Sequence, residues 1–78
     1  MRPMFTVTFR NADNERNLTG QLQLPMLPDK GEKVRIREKP DSWKALEGVV
    51  VDRIWFICES DAAQSDVVVM VALDAKKR

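Results

Sequence analysis

The sequence predicts a single, mostly β domain whose five short strands form a strongly bent antiparallel sheet or a small closed barrel. Apolar and polar residues alternate with period two in three segments, and two further segments are rich in β-branched residues. The stretches between them are rich in Pro, Gly, Asn and Asp, which favour turns. A chain of 78 residues has room for one domain, residues 1–78.

The first two strands are predicted at residues 4–10 and 19–24. Phe5, Val7 and Phe9 share one face of the first strand, and threonines occupy the other face. The second strand alternates leucine with glutamine in the same way. The polar, Asn-rich segment between them predicts a hairpin loop.

The third strand is predicted at residues 33–37, after a turn that contains Pro25 and Pro28. Proline cannot donate to a strand ladder, so these two residues end the preceding strand. Beyond the third strand, Asp41 and Ser42 favour one short helical turn over residues 41–46, stopped by Gly48.

The last two strands are predicted at residues 49–58 and 67–73. Both are apolar on both faces, and Asp52 and Arg53 form the polar interruption in the first of them. A bulge or sharp bend at that interruption is the feature that a curled sheet needs. The polar residues between the two strands predict a second hairpin loop.

The central third of the chain resembles the strand starts of small SH3-like barrels, in which a proline and glycine turn delivers an alternating strand and a later strand bends. The resemblance lies in Leu24-Pro25, Pro28, residues 31–36 and residues 48–51. It implies an SH3-like barrel that serves as a binding or adaptor module for protein or nucleic acid.

The composition argues against catalysis and against metal or cofactor binding. The chain has no histidine, which removes the commonest general base and the commonest zinc ligand. Its one cysteine, Cys58, ends an apolar strand, so a small buried hydrophobic residue is favoured over a reactive thiol. We therefore expect a protein that is not an enzyme and that takes no cofactor.

The cellular location is predicted from what the sequence lacks. It shows no signal peptide, no run of about 20 apolar residues that would span a bilayer, and no cysteine pair for an intramolecular disulfide. We expect a cytoplasmic protein that does not contact membranes.

A basic ladder is the best-defined surface feature of the sequence. Lys33, Arg35 and Arg37 share one face of the third strand, roughly 7 Å apart in succession, and Trp43 and Lys44 follow nearby. Basic side chains beside an aromatic ring are typical of sites that bind nucleic acid. The alternative is a solvated face whose charges prevent edge aggregation. The net charge of +1 favours the second interpretation.

The second apolar face of the last two strands predicts self-association. A domain of this size has no helices to cover that face, and large exposed apolar patches mark association sites. We expect a homodimer or a higher oligomer; the alternative is a tightly curled sheet that hides these residues in one core. The predicted interface consists of Val50, Ile54, Trp55, Ile57, Val68 and Met70.

Three functional hypotheses follow. The first is a non-enzymatic, homo-oligomeric binding or assembly module that docks another protein near Trp43 or on a strand edge, as is common among accessory proteins of mobile elements. The second is a nucleic-acid-binding protein that uses the basic ladder. The third is a small-molecule or enzymatic site formed between subunits, with Trp43, Trp55, Arg53 and Asp52 as the first residues to consider.

Overall fold

The structure is a computed structural model that describes residues 4–61 and 64–74, and these residues form one five-stranded sheet. Its strands, in chain order, are β1 (Phe5–Asn11), β2 (Leu22–Leu24), β3 (Lys33–Ile36), β4 (Leu46–Phe56) and β5 (Asp66–Leu73). The predicted mostly β, five-stranded and strongly bent sheet is confirmed: the sheet curls into a half-barrel.

The strand order is β2-β1-β5-β4-β3, and one pairing differs from the all-antiparallel expectation. β1 and β5 pair in parallel, whereas the other three neighbouring pairs are antiparallel. Successive strands alternate in direction along the chain, so the first and fifth strands run the same way. Where these two become neighbours in the sheet, their pairing has to be parallel.

The core lies on the concave face of the half-barrel. Directly opposed residues share a face, so Val7 of β1, Val67 of β5 and Trp55 of β4 form one row across the sheet. The buried core cluster is Val7, Phe9, Val50, Val67, Val69 and Val71. With so thin a core, partly buried side chains at its margin supply much of the remaining packing. They are Phe5, Leu18, Leu24, Leu27, Val34, Ile36 and Leu73.

A β-bulge interrupts β4, next to the predicted position. The register with β5 shifts between Val50 and Asp52, so Val51 is an extra residue. Because one residue is added, Val50 lies on the concave face before the bulge, and Arg53 and Trp55 lie on that face after it. Val51 itself is 42% exposed.

Gly48 lies inside β4 rather than at the end of a helical turn, and residues 41–46 form no helix. A Cβ atom at Gly48 would stand 2.6 Å from the Ala72 carbonyl oxygen and 2.6 Å from Val71 Cγ1. The expected helical turn is wrong because the Ser42 hydroxyl donates to the Lys44 carbonyl instead of capping a helix, and a single turn has little stability of its own.

The connection between β2 and β3 closes one end of the half-barrel. Residues 25–32 join the two outermost strands of the sheet, and Leu27 packs on the core as they cross. Gly31, with φ of 93°, turns the chain so that its N–H donates to the Val50 carbonyl at 2.8 Å. The Val50 N–H donates in turn to the Glu32 carbonyl at 2.9 Å.

Candidate functional site

The other end of the half-barrel is an open groove between β2 and β3. These two strands are the outermost of the sheet, and within the described residues neither has a partner strand on its outer side. The groove has a volume of about 1680 Å³. Its apolar lining includes Phe9, Leu22, Leu24, Val34, Ile36 and Leu46. The sheet therefore presents part of its apolar concave face to solvent.

Trp43 stands at the rim of this groove. It belongs to the segment between β3 and β4, and it is 86% exposed. The Lys44 Nζ lies 5.4 Å from the centroid of the Trp43 ring, within the range of a cation–π contact. The sequence left open whether Trp43 is an exposed loop residue or covers the open end of the barrel, and its 86% exposure agrees with the first alternative.

The groove brings together four of the five residues that the sequence suggested for nucleic-acid binding. Arg35, Arg37, Trp43 and Lys44 line it, whereas Lys33 does not. Three acidic residues line the same groove, so the formal charge of the three basic and three acidic side chains is zero. The acidic residues are Glu38, Glu47 and Asp74.

Arg35 is engaged by one of these acidic residues. Its Nε lies 2.9 Å from Glu47 Oε2, and the two residues are directly opposed in the β3–β4 ladder. Sequence reasoning missed this partner because only the register of the two strands brings Glu47 opposite Arg35. The pair removes much of the field that the basic ladder alone would project.

A second exposed surface follows the bulge in β4. β3 pairs with β4 only as far as Val49, and residues 31–32 bond to Val50. Beyond Val50, within the described residues, β4 has a neighbouring strand only on its β5 side. We call residues 53–57 the open edge. Four consecutive side chains of this edge are exposed: Ile54 at 41%, Trp55 at 46%, Phe56 at 50% and Ile57 at 70%.

The two faces of the open edge are anchored differently. On the concave face, the Trp55 ring packs edge-to-face on Phe5, with 5.8 Å between centroids, and Arg53 Nη1 lies 3.6 Å from Asp29 Oδ1. On the convex face, Ile54 is directly opposed to Val68. Both faces therefore carry apolar side chains that are half covered by the protein's own residues.

The six residues predicted for the oligomer interface do not form one patch. Val50 is 1% exposed and belongs to the core, so it is on no surface of the protomer. Trp55 lies on the concave face, and Ile54, Val68 and Met70 lie on the convex face, where Val68 is also buried at 7% exposure. Phe56 was missed, although it stands between Trp55 and Ile57 in one apolar run, which was the available signal.

Cys58 follows the open edge and is partly exposed. Its N–H donates to Ser65 Oγ at 2.8 Å, and its Sγ lies 3.5 Å from Ser60 Oγ. The Ser60 hydroxyl, followed by the Asp61 backbone N–H, lowers the pKa of the Cys58 thiol below its ordinary value. The favoured expectation of a buried residue is wrong, because Cys58 lies beyond Phe56, the last residue of β4, and its thiol is partly exposed beside Ser60.

The residues considered for a pocket between subunits are not neighbours in one chain. Trp43 lies at the groove rim, while Asp52, Arg53 and Trp55 belong to β4 beyond Val50. That hypothesis stays a prediction. Among residues 4–61 and 64–74, no group of three or more His, Cys, Asp or Glu side chains is arranged to hold a metal ion. Within the same residues, no helix has the length and apolar character needed to cross a membrane.

Comparison of this chain with protein-family models, with curated proteins and with solved structures finds no match. The groove and the open edge are therefore the two surfaces from which a function is inferred.

Proposed function

We propose that this chain is a non-enzymatic binding and assembly module that takes an extended apolar segment of a partner protein into its groove. The observation that carries the proposal is the apolar concave face that the half-barrel leaves open between two outermost strands. A strand inserted there would cover this face as a sixth strand covers the gap of an incomplete barrel.

The edges of the groove favour an extended partner over a helical one. β2 and β3 each pair on one side only, so each presents a row of backbone N–H and C=O groups to the groove. A peptide that adds to such an edge gains main-chain hydrogen bonds. Every second side chain of that peptide would then point to the apolar floor formed by Leu22, Val34 and Ile36.

Trp43 is the residue that we expect to anchor the partner. A tryptophan that is 86% exposed leaves most of a large apolar ring in water, and burying it contributes strongly to binding. Its place at the rim allows the ring to close over a peptide that lies in the groove. The zero net charge of the lining favours an uncharged peptide over a polyanion.

Peptide selection tests this proposal. We expect a random-peptide display library to yield peptides with alternating apolar residues that bind in the micromolar range. In the Trp55→Phe variant, Trp43 is the only tryptophan of the sequence. When a peptide binds, the fluorescence emission of Trp43 should shift to shorter wavelength because the indole ring leaves water. Trp43→Ala and Leu46→Glu should each weaken binding at least tenfold.

The matched control is Met26, which is 76% exposed and does not line the groove. Met26→Ala and Met26→Glu should leave peptide affinity unchanged. Selected peptides whose affinity is insensitive to Trp43→Ala and Leu46→Glu would contradict the assignment of the groove as the binding site.

Nucleic-acid binding is the second candidate, favoured by the clustering of Arg35, Arg37 and Lys44 beside Trp43 at one rim. Fluorescence polarisation with labelled single- and double-stranded DNA and RNA, at low and high salt, tests it. Binding that falls by orders of magnitude with salt and is lost in Arg35→Glu/Arg37→Glu would support this function. No binding at low salt would exclude it.

A further inference from the structure

The backbone of the open edge points toward solvent at defined residues. The Arg53 N–H donates to Asp52 Oδ1 at 2.9 Å, so it does not point into the ladder with β5. In an antiparallel strand, the N–H and C=O of one residue point to the same side, and successive residues alternate. The backbone groups of Trp55 therefore point the same way as those of Arg53, to the open side of β4.

From Ile54 to Ile57, the open edge has less of the usual protection than β2 and β3, which are short or charged although they still present unpaired backbone groups to the groove. Natural proteins block unpaired strands with charged side chains, with proline or with very short strands. β3 carries Lys33 and Arg35, and β2 has three residues and is followed by Pro25. Arg53, at the start of the open edge, is charged and lies beside Asp29, whereas residues 54–57 contain neither a charge nor a proline. An unprotected apolar edge of this kind is typical of a strand that acquires a partner.

We propose that the partner is a second copy of this chain, whose open edge pairs antiparallel with the first across a two-fold axis at Trp55. The two half-barrels then share one continuous sheet. This inference rests on the assembly part of the proposed function, and the peptide groove between β2 and β3 does not depend on it.

The sequence of the edge is self-complementary in this register. Trp55 is opposite the partner's Trp55, and the two residues can exchange both of their hydrogen bonds. Ile54 is opposite the partner's Phe56 on the convex face, and Arg53 is opposite the partner's Ile57 on the concave face. The pairs at positions 54 to 56 therefore join apolar side chains, and the one charged residue of the edge, Arg53, meets an isoleucine beside which its aliphatic part can lie. A register centred on Ile54 would instead place the Asp52 carboxylate against the partner's Phe56 ring.

The available area sets the strength of the dimer. Half of an aromatic side chain is about 100 Å². Two of the four exposed side chains are aromatic and two are the smaller isoleucines, so together they supply at most roughly 400 Å² per protomer and about 800 Å² per dimer. Stable interfaces bury about 1,200–2,000 Å² in total. Backbone pairing and Val51 add to the buried area of about 800 Å². Because the total stays near the lower limit for a stable interface, we expect a reversible dimer with a Kd on the order of 10–100 µM.

Sedimentation velocity from about 5 to about 500 µM tests the dimer. The wild-type chain should shift from monomer to dimer over this range, and Ile54→Asp should weaken association at least tenfold. Ile57→Lys should also weaken association at least tenfold. Because Ile57 is 70% exposed, this substitution should leave the protomer folded, so a loss of dimer can be assigned to the interface. Met26→Asp, on an equally exposed residue away from the edge, should dimerise as the wild type does.

A wild-type chain that stays monomeric throughout would overturn the proposal, as would dimers that persist in Ile54→Asp and Ile57→Lys. Peptide binding is measured in parallel on the Ile57→Lys variant. If the selected peptides still bind while the wild type never dimerises, the inference fails and the proposed function stands. If dimers form while no groove-dependent peptide is selected, the groove assignment fails and the inference stands.

Cross-linking tests the register. In a Cys58→Ser background, Trp55→Cys places two thiols across the two-fold axis at a Cα separation of about 5.5 Å, within the range of a disulfide. Mild oxidation should give a covalent dimer, and Met26→Cys in the same background should not. A wild-type dimer whose Trp55→Cys variant fails to cross-link would overturn the register centred on Trp55.

Discussion

The two halves of β4 are similarly rich in apolar residues but differ in how many strands flank them. Residues 46–50 lie alongside β3 or residues 31–32, and from Gly48 onward they also pair with β5. Gly48 and Val50 are buried, whereas Leu46, before the β5 pairing begins, is 44% exposed. Residues 51–56 pair with β5 alone, and Val51, Ile54, Trp55 and Phe56 are each more than two-fifths exposed. Both halves are rich in apolar residues. Along the concave face of β4, burial therefore follows whether chain flanks a residue on both sides: Gly48 and Val50 are flanked on both sides and buried, whereas Leu46 and Trp55 are flanked on one side and exposed.

The change from one half to the other occurs at the bulge. β3 pairing stops at Val49, residues 31–32 bond to Val50, and the register with β5 shifts immediately afterwards. The doubly flanked half belongs to the core, and the singly flanked half forms an apolar edge that is free to bind. Under our proposal, a structural role and a binding role thus follow each other on one strand.

The largest expected difference between the two halves comes from placing the same carboxylate in each. Val50→Asp would bury a charge with no partner at a position that is 1% exposed. That costs several kcal/mol, comparable with the whole stability of about 5–10 kcal/mol of a small domain. We expect Val50→Asp to be unfolded by circular dichroism at 25 °C, and Ile54→Asp to remain folded. If the two variants were equally stable, the difference in burial between the two halves of β4 would be contradicted.

A smaller expected effect concerns the close approach of strands at Gly48. Gly48→Ala forces a methyl group against the Ala72 carbonyl and should lower the free energy of unfolding by about 1–3 kcal/mol in urea denaturation. Gly20→Ala is the matched control, since no atom lies within 4 Å of the added carbon and the backbone there is not left-handed. If both variants lose the same stability, tight packing of the doubly flanked half is not the cause.

Most of the fold could be predicted from local pattern. Alternation over residues 4–10, 19–24 and 33–37 and the apolar, β-branched runs at 49–58 and 67–73 predicted all five strands, and the interruption at Asp52 predicted the bulge to within a residue. The parallel pairing of β1 and β5 could not be predicted, because period-two alternation is the same in parallel and antiparallel neighbours and says nothing of strand order.

The candidate surfaces were predicted in part. The sequence left open whether Trp43 is exposed or covers the open end of the barrel, and it indicated Ile54, Trp55 and Ile57 among the apolar residues in excess of what one core needs. The burial of Val50 could not be predicted, because it depends on which residue of β4 is the extra one in the bulge. Since that residue is Val51, the Val50 side chain faces the core. The neutral groove could not be predicted either, since Glu47 meets Arg35 only through the β3–β4 register.

A still smaller effect is expected at that ion pair, in the doubly flanked half. Arg35 and Glu47 are directly opposed, but their side chains are 74% and 48% exposed, so water and salt screen the attraction. A double-mutant cycle with Arg35→Ala and Glu47→Ala should give a coupling energy of no more than about 1 kcal/mol. The coupling should shrink as salt rises. A coupling that is large and independent of salt would show that the pair is held away from solvent.

The smallest expected effect on stability lies just past the exposed half, where Ser60→Ala should change the reactivity of Cys58 and leave unfolding unaltered. Without the Ser60 hydroxyl, the pKa of the Cys58 thiol should rise part of the way to its ordinary value, because the Asp61 N–H remains. Below that pKa a smaller fraction is thiolate, so alkylation by iodoacetamide slows and its pH midpoint moves up. Ser42→Ala, remote from the thiol, should leave both unchanged. If Ser60→Ala alkylates as fast as the wild type at every pH, the hydroxyl does not stabilise the thiolate, and Cys58 reports only on how exposed the end of β4 is.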